Sequence, residues 1–351
     1  MKRDMKLRVL FPFVLAAGGC AGILGIPSDV EQANADAGVE SGVDGPVQPD
    51  TSMPDGDVEA GKDVVTSDAD AGPMLPGCDL LKEFDPPVLI EGTVNTAEQE
   101  GSPRLSDDEL TMYFSAVRSA TDGNTSNIYV ATRSAYGMPW ANVTKVAGEV
   151  NTTDNDEYAP NITPDGKTIF FERQSLAPPY DNDFWTASRT AAGQPFTGAA
   201  PLSGFNTGAY EGKLFVPESA NEVYFARQLG VQADIFFAKI VNGVYVSNKI
   251  EEIASPQNDY QAVVSRDGLV MYFSSARPIN GAGNDLNIFR STRASKNDVW
   301  GQPLPVTPLN MVGQIDEPSW ISRDGCRLYM YSDRAGAGAG SQDLYVAIRP
   351  K

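Results

Sequence analysis

One pattern dominates the chain from Cys78 onward and leaves few folds open to it. A turn recurs at Ser106-Asp107-Asp108-Glu109, Thr163-Pro164-Asp165-Gly166, Ser219-Ala220-Asn221, Ser265-Arg266-Asp267-Gly268 and Ser322-Arg323-Asp324-Gly325. Asp-Gly marks a tight turn because glycine accepts positive φ and aspartate caps its own backbone. The positions Asp108, Asp165, Ser219, Asp267 and Asp324 lie 57, 54, 48 and 57 residues apart. An aromatic and β-branched run follows each turn: LTMYFSA, TIFFE, EVYFA, LVMYFSS and RLYMYS. After a polar loop comes a second such run: NIYVATR, DFWTASR, DIFFAKI, NIFRSTR and DLYVAIR. This enrichment predicts strands, and the period is that of a four-stranded propeller blade.

The last copy lacks a fourth strand, because the chain ends at Lys351 soon after DLYVAIR. A matching piece stands at the front: PPVLIEGTVNT, Pro86–Thr96, whose EGTVNT mirrors GEVNT at 148–152. The chain is therefore expected to be all-β: a five-bladed β-propeller of four-stranded antiparallel blades over 78–351, closed by an N-terminal strand completing the last blade. Closure removes the open sheet edges of a linear array.

These residues resemble the TolB-type, WD40-like propeller repeat, through the Pro160–Gly166 motif PNITPDG, the aromatic second strands and the Asp-[Ile/Leu]-[Phe/Tyr] third strands. The resemblance covers roughly 86–351. It is strong in the second, fourth and fifth copies, fair in the first and weak in the third. It implies a propeller that serves protein or ligand binding in the bacterial envelope. Five blades and a long tether depart from the six blades and second domain of TolB itself.

The front of the chain is a targeting segment. MKRDMKLR is basic, and VLFPFVLAA at 9–17 is an apolar run too short to span a bilayer. LAAGGC, Leu15–Cys20, resembles a bacterial lipoprotein signal, with cleavage before Cys20 and lipid on its thiol; an ordinary signal peptide cut nearby is the alternative. Residues 1–20 are thus assigned to signal and lipidation site. By analogy with enteric sorting, Ala21 after the cysteine points to the outer membrane, with the protein periplasmic or surface-exposed. Residues 21–77 show no apolar periodicity; from Asp29 to Asp70 twelve acids face one base, Lys62. They are read as a disordered acidic tether.

The bulk charge of −19 argues against nucleic acid as a partner. The chain has no histidine, which excludes Ser–His–Asp and Cys–His catalysis and histidine-ligated metal within it. Any metal site would use oxygen ligands, which favours Ca²⁺ or Mg²⁺ over transition metals; Ca²⁺ is the candidate cofactor, though no loop matches EF-hand spacing, and no other cofactor is expected.

An acid stands eight residues before each turn position: Glu100, Glu157, Glu211, Asp259 and Asp316. Arginines follow the second strands: Arg118, Arg173, Arg227, Arg277 and Arg334. Both sets are expected at the channel mouth. One reading pairs acid with arginine as blade locks. The other makes them a polar site for a cation, sugar or peptide terminus. Some five-bladed propellers hydrolyse polysaccharides, which makes a glycoside hydrolase the alternative function. That chemistry needs two acids at a set separation, whereas acids at every blade indicate repeat architecture. The first expectation is a non-enzymatic envelope lipoprotein whose face binds a protein, peptidoglycan or glycan. The four tryptophans, Trp140, Trp185, Trp300 and Trp320, are expected in blade packing. With Cys20 lipidated, two thiols remain in an oxidising compartment. Cys78 and Cys326 are therefore expected to form a disulfide that pins the closing strand to the last blade.

Overall fold

A computed structural model describes residues 77–351 except 178–180, 203, 218–221, 242–243, 280–284 and 335–341. The signal segment, Cys20, the tether and the third-copy turn at Ser219 lie outside the described residues.

The [Ser/Thr]-x-Asp turns join the first and second strands of blades one, two, four and five. The Ser106 hydroxyl donates to Asp108 Oδ1 at 2.6 Å, and the same carboxylate oxygen accepts the Leu110 N–H at 2.9 Å. Thr163 with Asp165, Ser265 with Asp267 and Ser322 with Asp324 repeat the 2.6 Å contact. Gly166, Gly268 and Gly325 take φ values of 67°, 73° and 73°; in the first copy Glu109 holds φ 55° in their place.

Five four-stranded antiparallel sheets result. Strand β1 is Val88–Leu89. Blade one holds β2 (Glu100–Leu105), β3 (Thr111–Val117), β4 (Ser126–Thr132) and β5 (Ala141–Lys145). Blade two holds β6 (Asn155–Ile162), β7 (Thr168–Ser175), β8 (Asn182–Ser188) and β9 (Thr197–Pro201). Blade three holds β10 (Glu211–Phe215), β11 (Glu222–Leu229), β12 (Gln232–Val241) and β13 (Val244–Lys249). Blade four holds β14 (Asp259–Val264), β15 (Val270–Ser275), β16 (Asn287–Thr292) and β17 (Leu304–Pro305). Blade five holds β18 (Asp316–Ile321), β19 (Arg327–Ser332) and β20 (Asp343–Ile348), and β1 pairs with β20 as its fourth strand, Val88 opposite Val346. The closing strand is shorter than the 86–96 segment expected from sequence, because beyond Leu89 the chain turns toward blade one: the Trp140 N–H donates to the Glu91 carbonyl.

First strands of neighbouring blades touch, and β18 meets β2 to close the ring. The cores lie between blades, as with Tyr113, Ile128, Ile169 and Phe171 between blades one and two, and Phe184, Leu214 and Phe225 between two and three. Each buried phenylalanine contributes about 2–3 kcal/mol of apolar burial. Two faces follow from the antiparallel path. The hairpin face carries the [Ser/Thr]-x-Asp turns. The loop face carries the second-to-third-strand loops and the connections between blades. Cys78 and Cys326 are disulfide-bonded at the hairpin face, Cα–Cα 5.6 Å.

Candidate functional site

The five acids begin the first strands, and all five are fully buried. Each is paired with the arginine of its own blade. Glu157, Glu211 and Asp259 meet Arg173, Arg227 and Arg277 at 3.0, 2.9 and 2.9 Å. Glu100 with Arg118 and Asp316 with Arg334 are equally in contact. The carboxylates also accept backbone N–H groups from the preceding connection: Thr96 to Glu100 at 3.1 Å, Thr152 to Glu157 at 3.1 Å, Thr207 to Glu211 at 3.0 Å, Ser255 to Asp259 at 2.8 Å and Met311 to Asp316 at 2.7 Å. Each arginine then donates to a carbonyl of that connection, at Val94, Val150, Phe205, Ile253 and Leu309. Each also lies over an aromatic ring, as Arg173 does over Trp185 at 4.3 Å. Charge-assisted bonds of this kind hold a connection rigidly between blades. The ten residues come together as five saturated locks.

A second set of bonds was not read from the sequence. Asn151 takes the Ile128 N–H at 2.7 Å and donates to the Ile128 and Val146 carbonyls at 2.9 and 3.0 Å. Asn95, Asn206 and Asn310 grip β20, β8 and β16 likewise; Ala254 stands at that place before blade four. The repeated Asn-Thr of EGTVNT, GEVNT and GFNT was the available signal. Arginines ending the third strands form a further set, with Arg133 over Trp140 at 4.5 Å, Arg189 over Phe196 at 4.3 Å, Arg293 over Trp300 at 4.3 Å and Arg349 over Phe84 at 4.0 Å. Trp140 and Trp300 are thus buried under guanidinium groups, and Trp320 packs edge-on against Tyr329.

The axis carries a cluster without repeat symmetry. Every first strand has a β-bulge, a device that re-aims a side chain. In blades one to four the bulge puts a non-glycine residue in the left-handed region: Ser102, Ala159, Lys213 and Gln261, at φ 51°, 45°, 60° and 49°. Lys213 reaches from blade three to blade five, where Nζ lies 2.6 Å from the Tyr331 hydroxyl and 3.3 Å from Glu317 Oε2. Arg104 reaches from blade one to the Leu214 carbonyl of blade three at 3.1 Å. Glu172 accepts the Lys213 and Leu214 N–H groups and Asn182 Nδ2. Burial lowers Arg104 to about 9, partly offset by Glu172 and Tyr331. Burial also pulls Lys213 down, but Glu317, Tyr331, Tyr210 and Glu172 outweigh it, leaving the ammonium well above its ordinary range. Glu172 is raised, since its desolvation exceeds the help from Lys213. The channel is therefore crossed by its own side chains. Among the described residues, no three acid or cysteine side chains gather to hold a metal ion.

The loop face differs from the axis. Leu229, Val231, Met311 and Val312 are exposed there, Val231 at 88% and Val312 at 86%.

No family model matches the chain, and no curated protein matches it. Solved structures do. TolB from Acinetobacter baumannii is 11% identical at a TM-score of 0.41, over 71% of this chain and 54% of that one, so the chain spans about half of TolB's length. The α-L-arabinofuranosidase PaAbf62A from Podospora anserina is 11% identical at a TM-score of 0.48, over 76% of this chain and 96% of that one. An endo-arabinase from Bacteroides thetaiotaomicron is 14% identical at 0.48, over 76% and 97%. These are likenesses of fold alone.

Proposed function

We propose that the chain is a non-enzymatic envelope lipoprotein, anchored through Cys20, whose propeller binds a protein partner on its loop face. The observation that carries this reading is the saturation of all five repeat carboxylates by arginine, backbone N–H and hydroxyl groups, which leaves none of them free for acid or base work. Exposed aliphatic side chains on the same face favour a protein over a glycan, because sugar platforms use open aromatic rings and no aromatic side chain among the described residues is exposed. The chain enters the propeller at Cys78 on the hairpin face, so the loop face is turned away from the tether's point of attachment.

One observation favours a second reading. Glu172 and Glu317 are carboxylates at positions the other blades do not share, as a dedicated glycosidase pair would be. Both are engaged by Lys213, which favours the binding role. Incubation with a polysaccharide panel separates the two. No reducing sugar should appear; release that Glu172→Gln abolishes would overturn the binding reading.

A further inference from the structure

The seam between blades four and five on the loop face combines two features. Met311 and Val312 project from the connection between the blades, and aspartates flank that connection on both sides. Asp285 Oδ2 accepts the Gly313 N–H at 3.0 Å and Asp333 Oδ1 accepts the Ile315 N–H at 2.6 Å. Each carboxylate is thus tied to the connection that carries the exposed aliphatic side chains. Asp343 heads β20 at the same strand end, opposite Ser332; it is 1% exposed and its Oδ1 has no hydrogen-bond partner.

No cation answers these acids. Among the described residues none of the three is in an ion pair, and the nearest arginine in sequence, Arg334, is committed to Asp316 and the Leu309 carbonyl. Burial raises Asp333 first; the Ile315 N–H pulls it back in part, and Asp316 and Asp285 add like-charge repulsion. Acids without a cationic partner beside an apolar surface attract cations, and buried acceptors without donors are costly.

We propose that this seam docks a lysine- or arginine-bearing segment of the protein partner, its cationic groups on Asp285 and Asp333, in the field of the buried Asp343, and its aliphatic groups on Met311 and Val312. The inference rests on the binding reading above and names the chemistry of the partner. Complementary charge of this sort sets specificity and association rate, and weakens with salt.

The probe is a twelve-residue Lys/Leu peptide, with a Glu/Leu peptide as control, titrated calorimetrically into the mature protein. The Lys/Leu peptide should bind and the control should not. Asp285→Asn/Asp333→Asn, which preserves both backbone hydrogen bonds, should weaken binding by about tenfold. Asp107→Asn/Asp298→Asn removes the same charge from the hairpin face and should leave binding unchanged. No binding of the Lys/Leu peptide, or equal loss in both double variants, overturns the inference. Pull-down from envelope extract distinguishes the two levels of the argument. Capture that survives Asp285→Asn/Asp333→Asn but is lost in Val231→Glu/Val312→Glu retains the protein-binding loop face and sinks the cationic partner. Capture unchanged by both sinks the loop face as well.

Discussion

Glu157 carries a consequence of burying a carboxylate even in a well-bonded lock. Burial pushes it up to about 7 from an ordinary 4.5, against the pull of Thr152 and Arg173. The folded state therefore holds this proton more tightly than the unfolded chain does. A raised folded value means stabilisation that is complete below about pH 4.5 and is lost as pH rises through about 7. Burial likewise raises Glu100 and Glu109, and Asp122 and Asp324 are lowered, so their contribution fades only on the acid side of 3.8. Thermal unfolding should show a higher midpoint at pH 5 than at pH 7.5, and Glu157→Gln should flatten that slope. An unchanged slope in the variant would remove Glu157 as its source. Glu109 poses the opposite case, a side chain that justifies a strained backbone. It takes the left-handed place that glycine holds in three other turns, and its carboxylate meets Arg327 at 2.7 Å and the Tyr329 hydroxyl at 2.7 Å across the seam where blade five closes on blade one. Removing one partner of a buried pair costs about 3–5 kcal/mol. Glu109→Ala should lose that much in denaturant titration. Glu109→Gly should lose about 1 kcal/mol less, because the backbone strain is relieved.

Among the elements, the connections between blades are as constrained as the strands. Gly148, at φ 100°, lies in a bridge with Phe196, and a Cβ there would stand 2.0 Å from the Phe196 carbonyl oxygen. Gly92 meets Trp140 in the same way at 2.1 Å. Backbone cannot yield as a side-chain tip can, so Gly148→Ala should destabilise by about 2–3 kcal/mol or more. A denaturation midpoint equal to wild type would show the bridge to be dispensable. The match between EGTVNT and GEVNT was visible in the sequence for this reason: the same glycine, asparagine and threonine perform the same backbone tasks in two blades. The bulges were not visible. A bulge has no periodic signature, so nothing in GKLF or SPRL marks the register shift that brings Lys213 and Arg104 to the axis. The acids and arginines were legible as sets because they recur, whereas Glu172 and Glu317 do not recur and gave no pattern to find.

For the whole molecule, the number of blades and the way the ring closes were both readable, because closure leaves a displaced strand and a leftover cysteine at opposite ends of the chain. The closing strand itself is slight: its ladder with β20 is Val88 and Leu89, and the Asp85 N–H, the Ile90 N–H and the Asn95 side chain add hydrogen bonds to β20 on either side. Beyond these bonds the ring has a clasp. It comes from the Glu109–Arg327 pair, from Phe84 beneath Arg349, and from the Cys78–Cys326 bond, which joins residues 248 apart. A cross-link over so long a loop restricts the unfolded chain strongly, by about 5 kcal/mol in the chain-entropy account. Reduction should therefore lower the denaturation midpoint substantially, and Cys78→Ser/Cys326→Ser should match the reduced protein. The freed N-terminal segment would also leave β20 as an exposed edge, so the reduced protein should self-associate as concentration rises. Midpoints and sedimentation that are identical with and without reductant would show that packing at the seam alone closes the ring.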